Sequence, residues 1–258
     1  MNIKKIYIIK IIFIFLLFFS NAKSSEQFQF DVTELEVIEN GNIFKGLKRG
    51  TIYTNDGMVI QADEFVYNKL TNIVIAEGKV IFEDKVNKIT ISADKATYKK
   101  KEEIIITDGN SKASDENNKI ISAQKFTYNK NQNILTAQVK ARVEDISENY
   151  IIKSDHITYF KNIEKIISKG KTTANIKSKY RIISNNIEYL VRKRILASKE
   201  KTTLEDGNSQ IYYFDEFIYL INEDLLKGKN ILIVSNYNLP NSGINFIFLR
   251  EFLIKKQR

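Results

Sequence analysis

Tyrosine recurs along this chain on a nearly constant period. Tyr67, Tyr98, Tyr128, Tyr159, Tyr189 and Tyr219 stand 31, 30, 31, 30 and 30 residues apart. Their frames read IQADEFVY, ISADKATY, ISAQKFTY, IKSDHITY, IISNNIEY and, more loosely, YYFDEFIY. Seven before the Tyr is apolar (Ile60, Ile91, Ile121, Ile152, Ile182), and five before is small (Ala62, Ala93, Ala123, Ser154, Ser184). Asp, Asn or Gln comes next, and two before the Tyr is apolar again (Phe65, Ala96, Phe126, Ile157, Ile187, Phe217). A unit this short cannot close a core of its own, so it stacks on its neighbours. The repeat predicts an elongated scaffold.

Each repeat reads as two strands. The first runs from the Ile to the Tyr. The second begins about six residues later with runs such as Ile73-Val74-Ile75, Ile104-Ile105-Ile106 and Ile134-Leu135-Thr136. Polar stretches rich in Asn and Lys separate them, the usual boundary of β-branched runs. The parity of the first strand requires a corner between Ala62 and Phe65 if Ile60, Ala62, Phe65 and Tyr67 are all to face inward. Gly78, Gly109 and Gly170, each eleven residues after a Tyr, mark a second bulge or corner. No helix is expected beyond residue 22, and the tail 241–258 is expected to be irregular.

Residues 1–22 read as a signal peptide. Lys4, Lys5 and Lys10 precede the apolar run Ile11 to Phe19, and Ser20-Asn21-Ala22 offers a cleavage site. The run is short for a membrane span, which needs ~20 apolar residues; counted from Ile6 with Lys10 tolerated it reaches fourteen residues, which leaves an uncleaved anchor as the alternative to cleavage. Without it the formal charge falls from +9 to +6, since three lysines leave. That excess is spread along the chain with acids interleaved, which argues for a solvated surface and no nucleic-acid partner. Cysteine is absent, so disulfides, thiolate catalysis and Cys metal sites are excluded.

The catalytic inventory is thin. His156, the only His, lies where other repeats carry Glu64, Lys95, Lys125 and Asn186, and is expected on the surface. No nucleophile elbow, zinc spacing or phosphate loop occurs, and neither catalytic residues nor a cofactor are expected. Asp63, Asp94, Asp155 and Asp215 lack the company of a calcium loop and are expected to orient a turn. The tyrosines are expected to stack their rings and keep their hydroxyls wet. Ile60, Phe65, Ile73, Ile75, Ile91, Ile104, Ile106, Phe126, Ile134 and Ile157 are expected inside, where they form either a plain core or a lipid groove.

The segments IQADEFVYNKLTNIVIAEGKVIF (60–82) and ISAQKFTYNKNQNILTAQVKARV (121–143) resemble repeats of the OstA-like domain of lipopolysaccharide transport. The second departs from that pattern at Thr136 and Val139. This domain builds the bridge protein LptA and the periplasmic head of LptD. The resemblance spans roughly residues 30–236. It implies an all-β, repetitive antiparallel jelly roll open along one side, over residues 23–240, with lipid A acyl chains of lipopolysaccharide inside. It also implies a periplasmic location, edge-to-edge joining with other such jelly rolls through Phe28–Val37 and Ile231–Val234, delivery to an outer-membrane translocon, and no enzymatic role. An LptD-type barrel needs many ~10-residue strands, and 241–258 cannot supply them, so truncation at that tail or a free-standing protein is expected. The competing reading is an exported β-solenoid, structural or adhesive, with a closed core. A β-helical lyase or hydrolase would need an acid-base cluster, for which the scattered acids and single His give no support.

Overall fold

The computed structural model describes residues 28–117, 119–146, 148–207, 210–235 and 245–255, the last as backbone apart from Ile247. The leader expected at 1–22 lies outside them. Strand follows strand, broken only by two 3-10 turns at Glu39–Gly41 and Lys161–Ile163. The first strands are β1 (Phe28–Val32), β2 (Leu35–Ile38), β3 (Ile43–Gly46), β4 (Gly50–Thr54), β5 (Met58–Ala62) and β6 (Glu64–Asn68). Six long strands form the middle: β7 (Ile73–Asp84), β8 (Ile89–Lys99), β9 (Ile104–Asp115), β10 (Lys119–Asn129), β11 (Ile134–Asp145) and β12 (Tyr150–Phe160). Shorter ones follow as β13 (Lys165–Lys169), β14 (Thr172–Ile176), β15 (Tyr180–Ser184), β16 (Glu188–Leu190) and β17 (Ile195–Ser198). The last are β18 (Thr202–Asp206), β19 (Gln210–Phe214), β20 (Glu216–Leu220), β21 (Leu225–Ser235) and β22 (Asn245–Lys255). The tail expected to be irregular thus carries a strand, paired with β21 from Leu225↔Lys255 to Ser235↔Asn245.

All pairing is antiparallel, and the pairs trace two leaves. One runs β1–β4–β5 and on through β14–β15–β18–β19 to β21. The other runs β2–β3–β6 and on through β13–β16–β17–β20 to β21. Each long strand β7–β12 bends at mid-length and serves both leaves. This is the all-β, antiparallel jelly-roll architecture that the resemblance implies. Only one Pro occurs in the chain, at Pro240, so no described ladder is interrupted by that residue.

The bend sits at the expected corners. Register slips between Glu77 and Val80 where β7 pairs with β8, and between Ser92 and Lys95 where β8 pairs with β9. Gly78 and Lys79 both take positive φ, at 76° and 46°. A Cβ on Gly78 would lie 2.7 Å from the Asp63 carboxylate, and Gly109 and Gly170 meet Asp94 and Asp155 in the same way. The repeated Asp therefore covers the corner glycine, which explains why Gly stands there. Where Asn230 replaces Gly, its amide donates to Asp215 at 2.7 Å.

A bulge frees backbone groups on the inner side of the bend. Small hydroxyl side chains take them up. Thr107 Oγ1 accepts from the Phe126 amide at 3.0 Å, and Ser168 Oγ from the Ile187 amide at 2.8 Å. Ser154, Thr172 and Ser168 form one buried hydroxyl chain and Ser184, Ser198 and Thr202 another. The small residue five before the Tyr itself supplies two of these hydroxyls, Ser154 and Ser184.

Candidate lipid-binding interior and its seam

One register row lines the interior of the second leaf. Tyr67 pairs with Val74, which pairs with Tyr98, and the row continues through Ile105, Tyr128, Leu135, Tyr159, Ile166, Tyr189, Leu196 and Tyr219 to Leu226. Directly paired residues share a face, and every member of this row is buried. Rings from the first leaf pack onto it: Phe82 on Tyr98, Tyr150 on Tyr189 and Tyr180 on Tyr219, the last two edge-on at 4.8 and 5.3 Å. Such pairs contribute about 0.5–1.5 kcal/mol beyond area burial.

Of the residues expected inside, Ile60, Phe65, Ile91, Phe126 and Ile157 are in this core. Ile73, Ile75, Ile104, Ile106 and Ile134 are not; they lie on the outer face of the second leaf, half-buried or, at Ile106, exposed. The centre of each apolar run points inward instead: Val74, Ile105, Leu135. The repeats carried that signal, since the centre is always a large aliphatic (also Ile166 and Leu196), whereas Lys165 and Thr136 break the flanking positions.

The leaves meet along the side opposite the corners. Tyr128 donates its hydroxyl to Asp84 at 3.0 Å, and Tyr159 to Asp115 at 2.9 Å. Tyr180 and Tyr219 both donate to Asp224. Between them, the Asn87 amide reaches the Lys130 carbonyl, Arg194 reaches Glu148, and Lys177 reaches the Ile221 carbonyl. At the N-terminal end, Lys100 and Lys130 converge on Asp56. The side expected to be open is thus covered by polar contacts among turns. The hydroxyls of Tyr98, Tyr128, Tyr159 and Tyr219, expected to be wet, instead donate to carboxylates at this rim, because burial of the rings leaves those groups as their partners.

The carboxylates form their own ladder. Asp84, Asp115, Asp145 and Asp206 recur at multiples of the same period, with Thr54 and Ile176 at the remaining places. Each also caps its turn: Asp84 accepts from the amides of Val86 and Asn87, and Asp115 from those of Asn117 and Lys119. Sequence reasoning passed over this series because the tyrosine frames end before it, although its spacing was visible.

Charges are deep here. Lys119, 2 % exposed, stands 3.6 Å from Asp115 and 4.0 Å from Asp145, with its ammonium over the Tyr159 ring. The neighbouring Tyr150 hydroxyl is buried without a hydrogen-bond partner among the described residues. Burial, then the nearby carboxylates, push the phenols of Tyr98, Tyr128 and Tyr159 far above the ordinary tyrosine value. Burial also pushes the Asp56 carboxyl up. Hydrogen bonds from Lys100, Lys130 and Thr54 outweigh it and hold the group well below the usual carboxylate range.

The remaining candidates are peripheral. His156 is exposed on β12. No group of three or more metal-ligating side chains occurs among the described residues, and none of their helices is long and apolar enough to cross a membrane. Of the expected joining edges, β1 and β2 each pair on one side only among the described residues, and Ile231–Val234 is covered by β22.

No family model matches the chain, and no curated protein matches it. Among solved structures it is similar to the crystal structure of LptH, the LptA-homologous periplasmic component of the lipopolysaccharide transport device from Pseudomonas aeruginosa. That likeness has 15% sequence identity and a TM-score of 0.40, and covers 43% of this chain and 81% of that one.

Proposed function

We propose that this chain is a non-enzymatic, periplasmic lipopolysaccharide-carrying module, whose interior takes lipid A acyl chains when the leaves part along the seam. One observation carries the reading: a continuous apolar row inside the second leaf, between leaves that are covalently continuous along the corners and joined on the other side by side-chain contacts. The repeat frames supply the lipid class. Parting the leaves breaks hydrogen bonds to charged groups worth about 1.5–3 kcal/mol each, which water replaces. Each methylene kept from water contributes ~0.8 kcal/mol, so one acyl chain of about a dozen methylenes outweighs several seam bonds. Edge-to-edge partners would meet β1 and β2 at one end and β22 at the other.

The competing reading is a closed β repeat with a structural or adhesive role, favoured by the buried Asp–Tyr seam. Photoreactive groups at Phe126, inside, and Lys112, on the outer face of the first leaf, separate the two. Lipopolysaccharide adducts at 126 but not 112 are expected of a carrier. A folded protein with no adduct at 126 would leave the closed repeat as the function.

A further inference from the structure

The large hydrophobic side chains that the fold leaves most exposed are not scattered. Leu70, Val86, Ile146 and Ile163 are 67, 70, 70 and 63 % exposed, and all four sit on turns along the seam edge. The seam contacts place three of them together. The turn of Val86 is bound to that of Lys130 through Asn87. The next turn of the second leaf carries Ile163 and is bound to Glu116 through Lys161. The one after that reaches the turn of Ile146 through Arg194 and Glu148. Adjacent strands lie ~4.8 Å apart, so these three tips fall within about 20 Å of edge.

Each tip is accompanied by cations. Lys69 adjoins Leu70, and Lys85 and Lys88 flank Val86, Lys88 being paired with Glu116; Lys161, two before Ile163, is mostly buried against the same Glu116, and the exposed cation beside Ile163 is Arg192, which reaches Glu164. The turn of Ile146 has Arg192 and Lys193 beside it, exposed, on the turn bound through Arg194. An apolar tip in water costs free energy that the fold does not recover, and solvation alone gives no reason for pairing it with lysine. A lipid surface rewards both: the tip enters the acyl boundary and the cations meet phosphate head groups, at about 1 kcal/mol per basic residue near an anionic leaflet.

We infer that the seam edge is a docking surface for an anionic lipid bilayer, with Val86, Ile146 and Ile163 as the inserting tips. The occupant follows from charge complementarity and from the recurrence of the apolar–basic pair. The interior need not open for it, so it stands apart from the carrier reading.

The absence of native Cys allows a single-cysteine test on the full chain. An environment-sensitive dye is placed at position 86 or 163, and at Tyr213, which is 41 % exposed on the outer face of the first leaf, as control. Vesicles of phosphatidylglycerol and phosphatidylethanolamine are compared with phosphatidylcholine alone. On the anionic vesicles the expected result is a blue shift and quenching by brominated lipid at 86 and 163, several-fold above that at 213, and much reduced by K85E with K193E. Equal responses at all three positions, as attachment through the apolar leader would give, would overturn the inference. So would equal responses on neutral vesicles, or none. The adduct measurement at Phe126 reads the carrier function separately, so either idea can fail alone.

Discussion

The Tyr128 hydroxyl donates to the Asp84 carboxylate across 44 positions of sequence. The same offset separates Tyr159 from Asp115 and Tyr180 from Asp224. Asp84 is also the acceptor for two amides of its own turn, so one carboxylate fixes a turn of one leaf and clasps the other leaf. Replacing Tyr128 by Phe should cost about 1–2 kcal/mol, a lost hydrogen bond to a charged group. Asp84→Ala should cost more, since it strands the phenol and both turn amides. A double-mutant cycle in urea should show positive coupling, and strict additivity would mean that the contact does not hold the seam.

Inner and outer positions of the second strands should differ sharply in cost. Leu135→Ala removes a buried side chain and should destabilise by about 2–5 kcal/mol. Ile134→Ala, half-exposed next to it, should cost under about 1 kcal/mol. Equal losses in denaturant titrations would reverse the assigned faces.

Gly78→Ala meets both a positive φ and the Asp63 carboxylate, and should cost about 1–3 kcal/mol. Adding Asp63→Ala should recover the steric part of that loss and leave the backbone part. Gly207 has open space around a Cβ, and Gly207→Ala serves as the near-neutral comparison.

Alkali should unfold the protein through its tyrosines. Their folded pKa values lie above the unfolded value of 10.0, so the folded state holds its protons longer. The stability this supplies is full below pH 10 and is lost as pH rises above it. Tyrosinate absorbance should therefore appear together with loss of β circular dichroism. Titration of the buried phenols in a protein that stays folded would contradict their burial.

Acid acts in the opposite sense at Asp56 and Asp224. Both carboxyls lie below the ordinary 3.8 in the fold, so the stability they add is present above that value and fades as pH falls below it. Asp56→Asn should lower stability at neutral pH and flatten the acid limb of the melting curve. An unchanged limb would mean that Lys100 and Lys130 do not depend on this carboxylate.

The tyrosine frames made the two strands of each repeat, the corner at Ala62–Phe65 and the bulge at Gly78 legible, because period and parity are local properties. The facing of Ile73 against Val74 was hidden within any single all-apolar run and legible only by comparing repeats, where Thr136 and Lys165 break the flanking positions. It is set by Tyr67, through a register that the turn at Asn68–Asn72 decides. The partnership of Asp84 with Tyr128 was hidden for another reason: contacts between leaves depend on how the bent strands close on each other. The strand at Asn245–Lys255 escaped because it follows no repeat frame, and it forms by pairing with the exposed edge of β21.

The offset of 44 residues is about one and a half repeats, so no repeat clasps itself. An excision or insertion of arbitrary length would set carboxylates of one leaf against the wrong phenols of the other along every later turn. Only whole repeats preserve the phase. Growth or shrinkage by whole repeats keeps that phase, within the one-residue variation between 30 and 31 that the spacings already show.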